Sequence, residues 1–183
     1  FAAAREAGQA AWWLRTMERS SCCQLNAIHY DTVMGIHARD GNLAEAARWL
    51  EEMSRARVAP STNSYNILIG CCARAGKVDT AERWLEAMQD AGVPADLVTF
   101  NSLISSHAKR GEHAGLAAAV RLLQEIGNAR LAPDTVSYNA VLDLCLQRGD
   151  AEGAATWLEI MQRRGASPDV ISYNTVISSY ANR

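Results

Sequence analysis

The sequence predicts an all-α solenoid of stacked helical hairpins, and three observations predict it. Aromatic residues recur at a near-constant interval, with Tyr30, Tyr65, Phe100, Tyr138 and Tyr173 separated by 35, 35, 38 and 35 residues. Glycines keep the same beat at Gly41, Gly76, Gly111 and Gly149, and Pro60, Pro94, Pro133 and Pro168 close the copies. Within each copy the apolar residues fall at helical spacing, twice over. A fixed period on the order of 20–50 residues marks a repeat architecture, in which each unit is one supersecondary element.

The first helix of a copy begins at the aromatic residue. Tyr65, Leu68, Ile69 and Cys72 stand at i, i+3, i+4 and i+7, one face of a helix. Phe100, Leu103, Ile104 and His107 repeat that face, as do Tyr138, Val141, Leu142 and Cys145. His37 occupies the same position as Cys72, so both histidines and the cysteines are expected to be packing residues. The glycine that follows, in "RAG", "KRG" and "QRG", supplies a C-terminal stop.

The second helix carries Ala46, Trp49, Leu50 and Met53, then Ala81, Trp84, Leu85 and Met88, then Ala154, Trp157, Leu158 and Met161. Leu122 stands in for tryptophan in the remaining copy, and Trp13, Leu14 and Met17 match the same pattern near the start. At helical spacing beside Leu and Met, these tryptophans are predicted to be core. Neither helix of a hairpin can bury its stripe alone, so neighbouring hairpins must stack. The copies span residues 27–61, 62–96, 97–134 and 135–169. Residues 1–26 hold a second helix without a first, and residues 170–183 a first helix without its second. The three extra residues of 97–134 fall between Gly111 and Asn139, most simply as added length in one helix or its exit. Neither end has the polar face of a capping repeat, so the chain is expected to be a window on a longer array.

Composition narrows the function classes. Of 183 residues, 49% are hydrophobic, which fits a packed domain and not a disordered tail. The net charge of −2 gives no blanket attraction for nucleic acid or acidic lipid, so such binding must come from local placement. No apolar run approaches the roughly 20 residues a bilayer requires. Cys22, Cys23, Cys71, Cys72 and Cys145 show no CxxC spacing, so neither a disulfide framework nor a metal site is expected. No cofactor motif occurs, and nothing matches the zinc-deaminase signature, so catalysis by these residues is not expected.

A polar residue follows each aromatic. Asn101, Ser105 and Lys109 are spaced by four and form a stripe away from the Phe100 face, as do Asn66, Gly70 and Arg74, and Asn139, Asp143 and Gln147. The first complete copy offers Asp31, Gly35 and Arg39. Asp96, Asp134 and Asp169 add a carboxylate just before the next helix. Aspartate three residues before Ser or Thr is a helix-capping pattern, whereas a carboxylate at a joint can also orient a neighbouring amide. The asparagine lies inside the first turn, where capping explains it less well. Stacking would align the amides as a ladder, and an amide has the donors and acceptor to meet the edge of an unpaired base. Single-stranded RNA, whose bases can be splayed and read singly, fits such a ladder.

The text closely resembles the pentatricopeptide repeat family. The pattern appears as "SYNILIGCCARAGKVDTAERWLEAMQDAGVPAD" over Ser64–Asp96 and "VSYNAVLDLCLQRGDAEGAATWLEIMQRRGASPD" over Val136–Asp169, and the resemblance covers essentially the whole chain. It implies a right-handed superhelical solenoid that binds single-stranded RNA, one base per repeat. In the family the residue after the aromatic and the last residue of the repeat select the base, and Asn with Asp favours uracil, then cytosine. Carried over, Asn66 with Asp96, Asn101 with Asp134 and Asn139 with Asp169 would each call for uracil, and Asn174 begins a further step. Asp31 with Ser61 departs from that pairing and is assigned no base. The base-sandwiching position falls on Val98, Val136 and Ile171, with Asn63 as the exception, and the phosphate-facing position on Arg39, Arg74 and Lys109, with Gln147 as the exception. The resemblance further implies an organellar setting, mitochondrial or chloroplast. The competing expectation is a structural subunit of an organellar ribosome or other large complex, working through protein contacts.

Overall fold

A computed structural model describes residues 2–20, 24–110 and 115–181, which form ten α-helices and no strand. They are α1 (Ala2–Arg19), α2 (Ala27–Arg39), α3 (Leu43–Arg55), α4 (Thr62–Arg74), α5 (Val78–Asp90), α6 (Leu97–Arg110), α7 (Gly115–Asn128), α8 (Thr135–Gln147), α9 (Ala151–Arg163) and α10 (Val170–Ala181). Cys22, Cys23 and Gly111 lie outside the described residues. The chain divides into two compact units, residues 1–75 with 79–94, and residues 76–78 with 95–183. In the first, α2 packs on α1, α3 and α4; in the second, α8 packs on α6, α7, α9 and α10. Each is a stack of helical hairpins.

The periodic stripes form the core. Leu68, Ile69, Leu103, Ile104 and Leu142 of the first helices are fully buried, as are Met53, Met88 and Met161 of the second. In the second unit Leu142, Cys145 and Ala154 make a buried cluster against Leu116, Trp157, Leu158 and Val176, drawn from four helices. Trp49 is buried and Trp84 and Trp157 are half-buried, but Trp13 departs from expectation at 61% exposed. Trp49 is covered by Tyr30 of α2 and by the Arg15 guanidinium of α1, 5.6 Å from its ring centroid. Trp13 makes an edge contact with Trp12. Cys71, Cys72 and Cys145 are buried and in no disulfide, and burial pushes the Cys145 thiol up to about 11.

Helix boundaries follow from side-chain chemistry. The side chains of Asn26, Ser61 and Asp134 cap α2, α4 and α8, each accepting the backbone N–H three residues on. The third helical residue, His29, Ser64 or Ser137, returns the bond to the cap N–H, closing a reciprocal box. The first helices of the hairpins end at Gly41, Gly76 and Gly149 with φ of 76°, 67° and 68°, the left-handed turn that glycine enters without steric cost. Thr62 and Thr135 then pin the inter-hairpin connections by donating to the carbonyls of Pro94 and Ser167 at 2.9 and 3.0 Å. Helix α7 has 14 residues where α3, α5 and α9 have 13.

Candidate functional site

The caps do more than start helices. In the second unit, Asp134 Oδ1 accepts the Ser137 backbone N–H at 2.9 Å and also the Asn101 Nδ2 donor at 3.1 Å. Asn101 lies one hairpin earlier, on α6. Its Oδ1 in turn accepts the Ser137 hydroxyl at 2.6 Å. The same arrangement recurs one hairpin on, with Asn139 Nδ2 to Asp169 Oδ1 at 3.2 Å, Ser172 N–H to Asp169 Oδ1 at 2.9 Å, and the Ser172 hydroxyl to Asn139 Oδ1 at 2.6 Å. Capping and amide-holding are therefore not alternatives here; one carboxylate oxygen does both.

The chemistry fixes the amide's orientation. A carboxylate oxygen only accepts, so the asparagine atom facing it must be the NH₂ group. The bond to aspartate uses one of the two Nδ2 hydrogens, and the Val136 and Ile171 backbone N–H groups also donate to the Asp134 and Asp169 carboxylates. Asn101 and Asn139 are half-buried and Asp169 is exposed, so the pair remains accessible.

The first complete copy is built differently. Asp31 is 7% exposed, and three side chains of the next hairpin saturate it: Ser64 donates to Oδ1 at 2.5 Å, and Asn63 and Ser61 donate to Oδ2 at 2.9 and 3.1 Å. Asn63, placed by sequence at a flanking position, is thus a partner of Asp31. The carboxylate is turned inward and keeps no oxygen uncommitted.

Three stretches, residues 25–74, 60–109 and 133–182, match the model of the PPR repeat family. The chain belongs to that family. Among solved structures, the PPR chain is similar to the pentatricopeptide repeat protein PPR10 in complex with an 18-nt psaJ RNA element, at 25% identity and TM-score 0.74 over 95% of this chain. It spans only 25% of the PPR10 chain in that complex. It is also similar in fold to the PPR domain of Arabidopsis thaliana protein-only RNase P 1 in complex with tRNA, at 18% identity and TM-score 0.71 over 85% of this chain and 81% of that one. PPR10 from maize, in a separate structure, aligns over 96% of this chain and 29% of its own at 22% identity and TM-score 0.59. No curated protein matches the chain.

The other PPR positions fall as follows. Val98, Val136 and Ile171 are 58%, 55% and 62% exposed. Ile28, 70% exposed, holds the same place in the first complete PPR hairpin. Sequence reasoning passed over it, although its spacing from Tyr30 equals that of Val98 from Phe100. Arg39 and Lys109 are exposed at the last turns of α2 and α6. Arg74 donates to the Ala38 carbonyl at 3.0 Å and, with Gly35, Arg39, Asn66 and Ile67, lines an open groove of about 530 Å³. Gln147 donates to the Asp143 carboxylate at 2.8 Å, so that hairpin has an amide where Arg74 and Lys109 stand in others. Asn174 is exposed on α10. Asn66 stands in the first unit and Asp96 in the second. Among the described residues no cluster of His, Cys, Asp and Glu could hold a metal ion, and no helix is long and apolar enough to cross a membrane.

Hydrogen bonding sets the charge state of the PPR carboxylates. Burial pushes the Asp134 carboxyl up, but donation from the Ser137 N–H, from Asn101 and from the Val136 N–H outweighs it, and the net shift is down from 3.8. The Ser172 N–H and then Asn139 likewise hold Asp169 below its ordinary value. A carboxyl lowered by folding contributes stability that is present above its unfolded pKa and is lost as pH falls through the folded one. Thermal melts should therefore show no loss from these groups between about pH 7 and pH 5, and a decline below about pH 4. Asp134→Asn should flatten part of that acid decline.

Proposed function

We propose that the chain binds single-stranded RNA one base per hairpin, with Asn66/Asp96, Asn101/Asp134 and Asn139/Asp169 each favouring uracil and then cytosine, within a protein of organellar RNA processing, stability or translation. The observation that carries this reading is the twice-built amide–carboxylate pair, in which one amide hydrogen is held by aspartate and the other is not used by that bond. Uracil presents carbonyl acceptors to which such an amide hydrogen can donate. The exposed Val98, Val136 and Ile171 supply apolar faces against which a base can lie, and the exposed Arg39, Arg74 and Lys109 are cations that can pair with phosphates. The RNA in the similar PPR10 complex supports RNA as the polymer. Asn174 begins a further step, and the Asp31/Ser61 hairpin, whose carboxylate is saturated, is assigned no base.

Three phosphate contacts on a single strand imply a salt slope of only about −2, so this stretch binds weakly by itself. A second reading, a structural subunit of an organellar ribosome or other complex, draws on the closed Asp31 site and the net charge of −2. Titration of U-rich and A-rich single-stranded RNA against the chain and its Asn101→Thr variant separates the two. A reader prefers the U-rich strand and loses part of that preference with the substitution. A scaffold is indifferent to both.

A further inference from the structure

We infer that the hydroxyl of the following hairpin's capping serine, Ser137 for the Asn101 step and Ser172 for the Asn139 step, is a third determinant of base selectivity that sets which hydrogen-bonding face the asparagine presents. The inference rests on the base-reading function proposed above and goes beyond its two-residue reading site. It begins from a short contact. Ser137 Oγ lies 2.6 Å from Asn101 Oδ1, and Ser172 Oγ lies 2.6 Å from Asn139 Oδ1. Two oxygens at that separation need a proton between them. An amide carbonyl has none, so the serine supplies it.

Each serine hydroxyl is also 2.9 Å from the aspartate Oδ1 and accepts the aspartate's own backbone N–H, at 3.2 Å for Asp134 and 3.1 Å for Asp169. A hydroxyl has one hydrogen. Once that hydrogen lies on the shorter line to the amide carbonyl, the serine is an acceptor toward the cap and a donor toward the asparagine. Both serines are fully buried, so water does not compete for the bond. The contact recurs in both complete steps of the second unit. In the first unit Ser64 directs the same hydroxyl to Asp31, the residue standing where asparagine stands elsewhere.

The chemical consequence concerns the two faces of an amide. With Nδ2 held by aspartate and Oδ1 engaged by serine, the edge offered to a base is weighted toward the remaining N–H donor. Uracil's carbonyl oxygen meets a donor. The exocyclic amino group of cytosine or adenine, a donor itself, meets a carbonyl already engaged. Removing the hydroxyl frees that carbonyl to accept from an amino group, so discrimination against amino-bearing bases should narrow at that step alone. Threonine keeps the hydroxyl and should preserve it, as Thr99 carries one at the equivalent place before Asn101.

The test is selection of bound sequences from a random pool of short single-stranded RNA, with the chain as it stands and with Ser137→Ala, Ser137→Thr and Ser172→Ala. The expected result is uracil enrichment at adjacent positions for the unsubstituted chain. The uracil-over-cytosine ratio should fall about threefold to tenfold at one position for Ser137→Ala and at the neighbouring position for Ser172→Ala, the scale of one neutral hydrogen bond. Ser137→Thr should retain the ratio. A purely structural role would weaken all positions together and would not move with the substituted step. Retained selectivity at both positions in the alanine variants overturns the inference while leaving the reading function intact; no enrichment by the unsubstituted chain overturns both. Without RNA, the side-chain NH₂ resonances of Asn101 should shift in Ser137→Ala and return in Ser137→Thr, and unchanged resonances in the alanine variant would also overturn it.

Discussion

Leu142→Ala should lower the unfolding free energy by about 2–5 kcal/mol, the range for a fully buried leucine truncated in a rigid setting. Leu142 has no exposed surface and sits in a cluster fed by α7, α8, α9 and α10. Helices from successive hairpins surround the site, so closing the cavity would require several to move together. Stability in such stacks is roughly the sum of unit terms and nearest-neighbour interfaces, and Leu142 contributes to both its own hairpin and the packing of α10. Urea denaturation followed by circular dichroism measures the loss. The companion Ile177→Ala removes a side chain that is 64% exposed and should cost no more than about 0.5 kcal/mol. Equal midpoints for the two variants would contradict this account of the core.

Asp31→Ala should cost about 2–3 kcal/mol, more than most polar substitutions on a helix, because it strands donors in place of a carboxylate. Ser64 is fully buried and loses its acceptor at 2.5 Å. Ser61 and Ser64 can still pair with each other across 3.1 Å, which limits the loss. Asn63 is exposed and turns to water. Asp31→Asn should recover most of the stability, since an amide oxygen accepts from Ser64 and the NH₂ reaches Ser61. Urea midpoints ranked wild type, then Asp31→Asn, then Asp31→Ala test the network; an alanine variant as stable as the wild type would show that these bonds do not hold the two hairpins together.

The helices were legible because burial imposes a period on the text. Leu68, Ile69, Leu103 and Ile104 stand three and four residues from the aromatics for the same reason that they are fully buried. The amide and carboxylate positions were legible too, since they recur with that period. What spacing does not carry is which atom faces which. Asp134 looked like either a cap or an amide partner; both uses converge on Oδ1, and only three-dimensional placement shows it. Ser137 looked like part of a capping pattern, while its hydroxyl reaches an asparagine 36 residues earlier. Trp13 fitted the core pattern, but a stripe is buried only when a neighbour covers it. Asn63 occupied a flanking position by count and was drawn to Asp31 by charge and proximity.

The shared oxygen of Asp134 and Asp169 has an evolutionary corollary. Under the proposed reading, the residues that select bases are also those that begin the next helix, so rewriting one step perturbs the nucleation of its neighbour. An array diversifying toward a new transcript would have to repair helix starts as it changes letters, and engineered versions should gain from pairing each altered aspartate with a compensating cap.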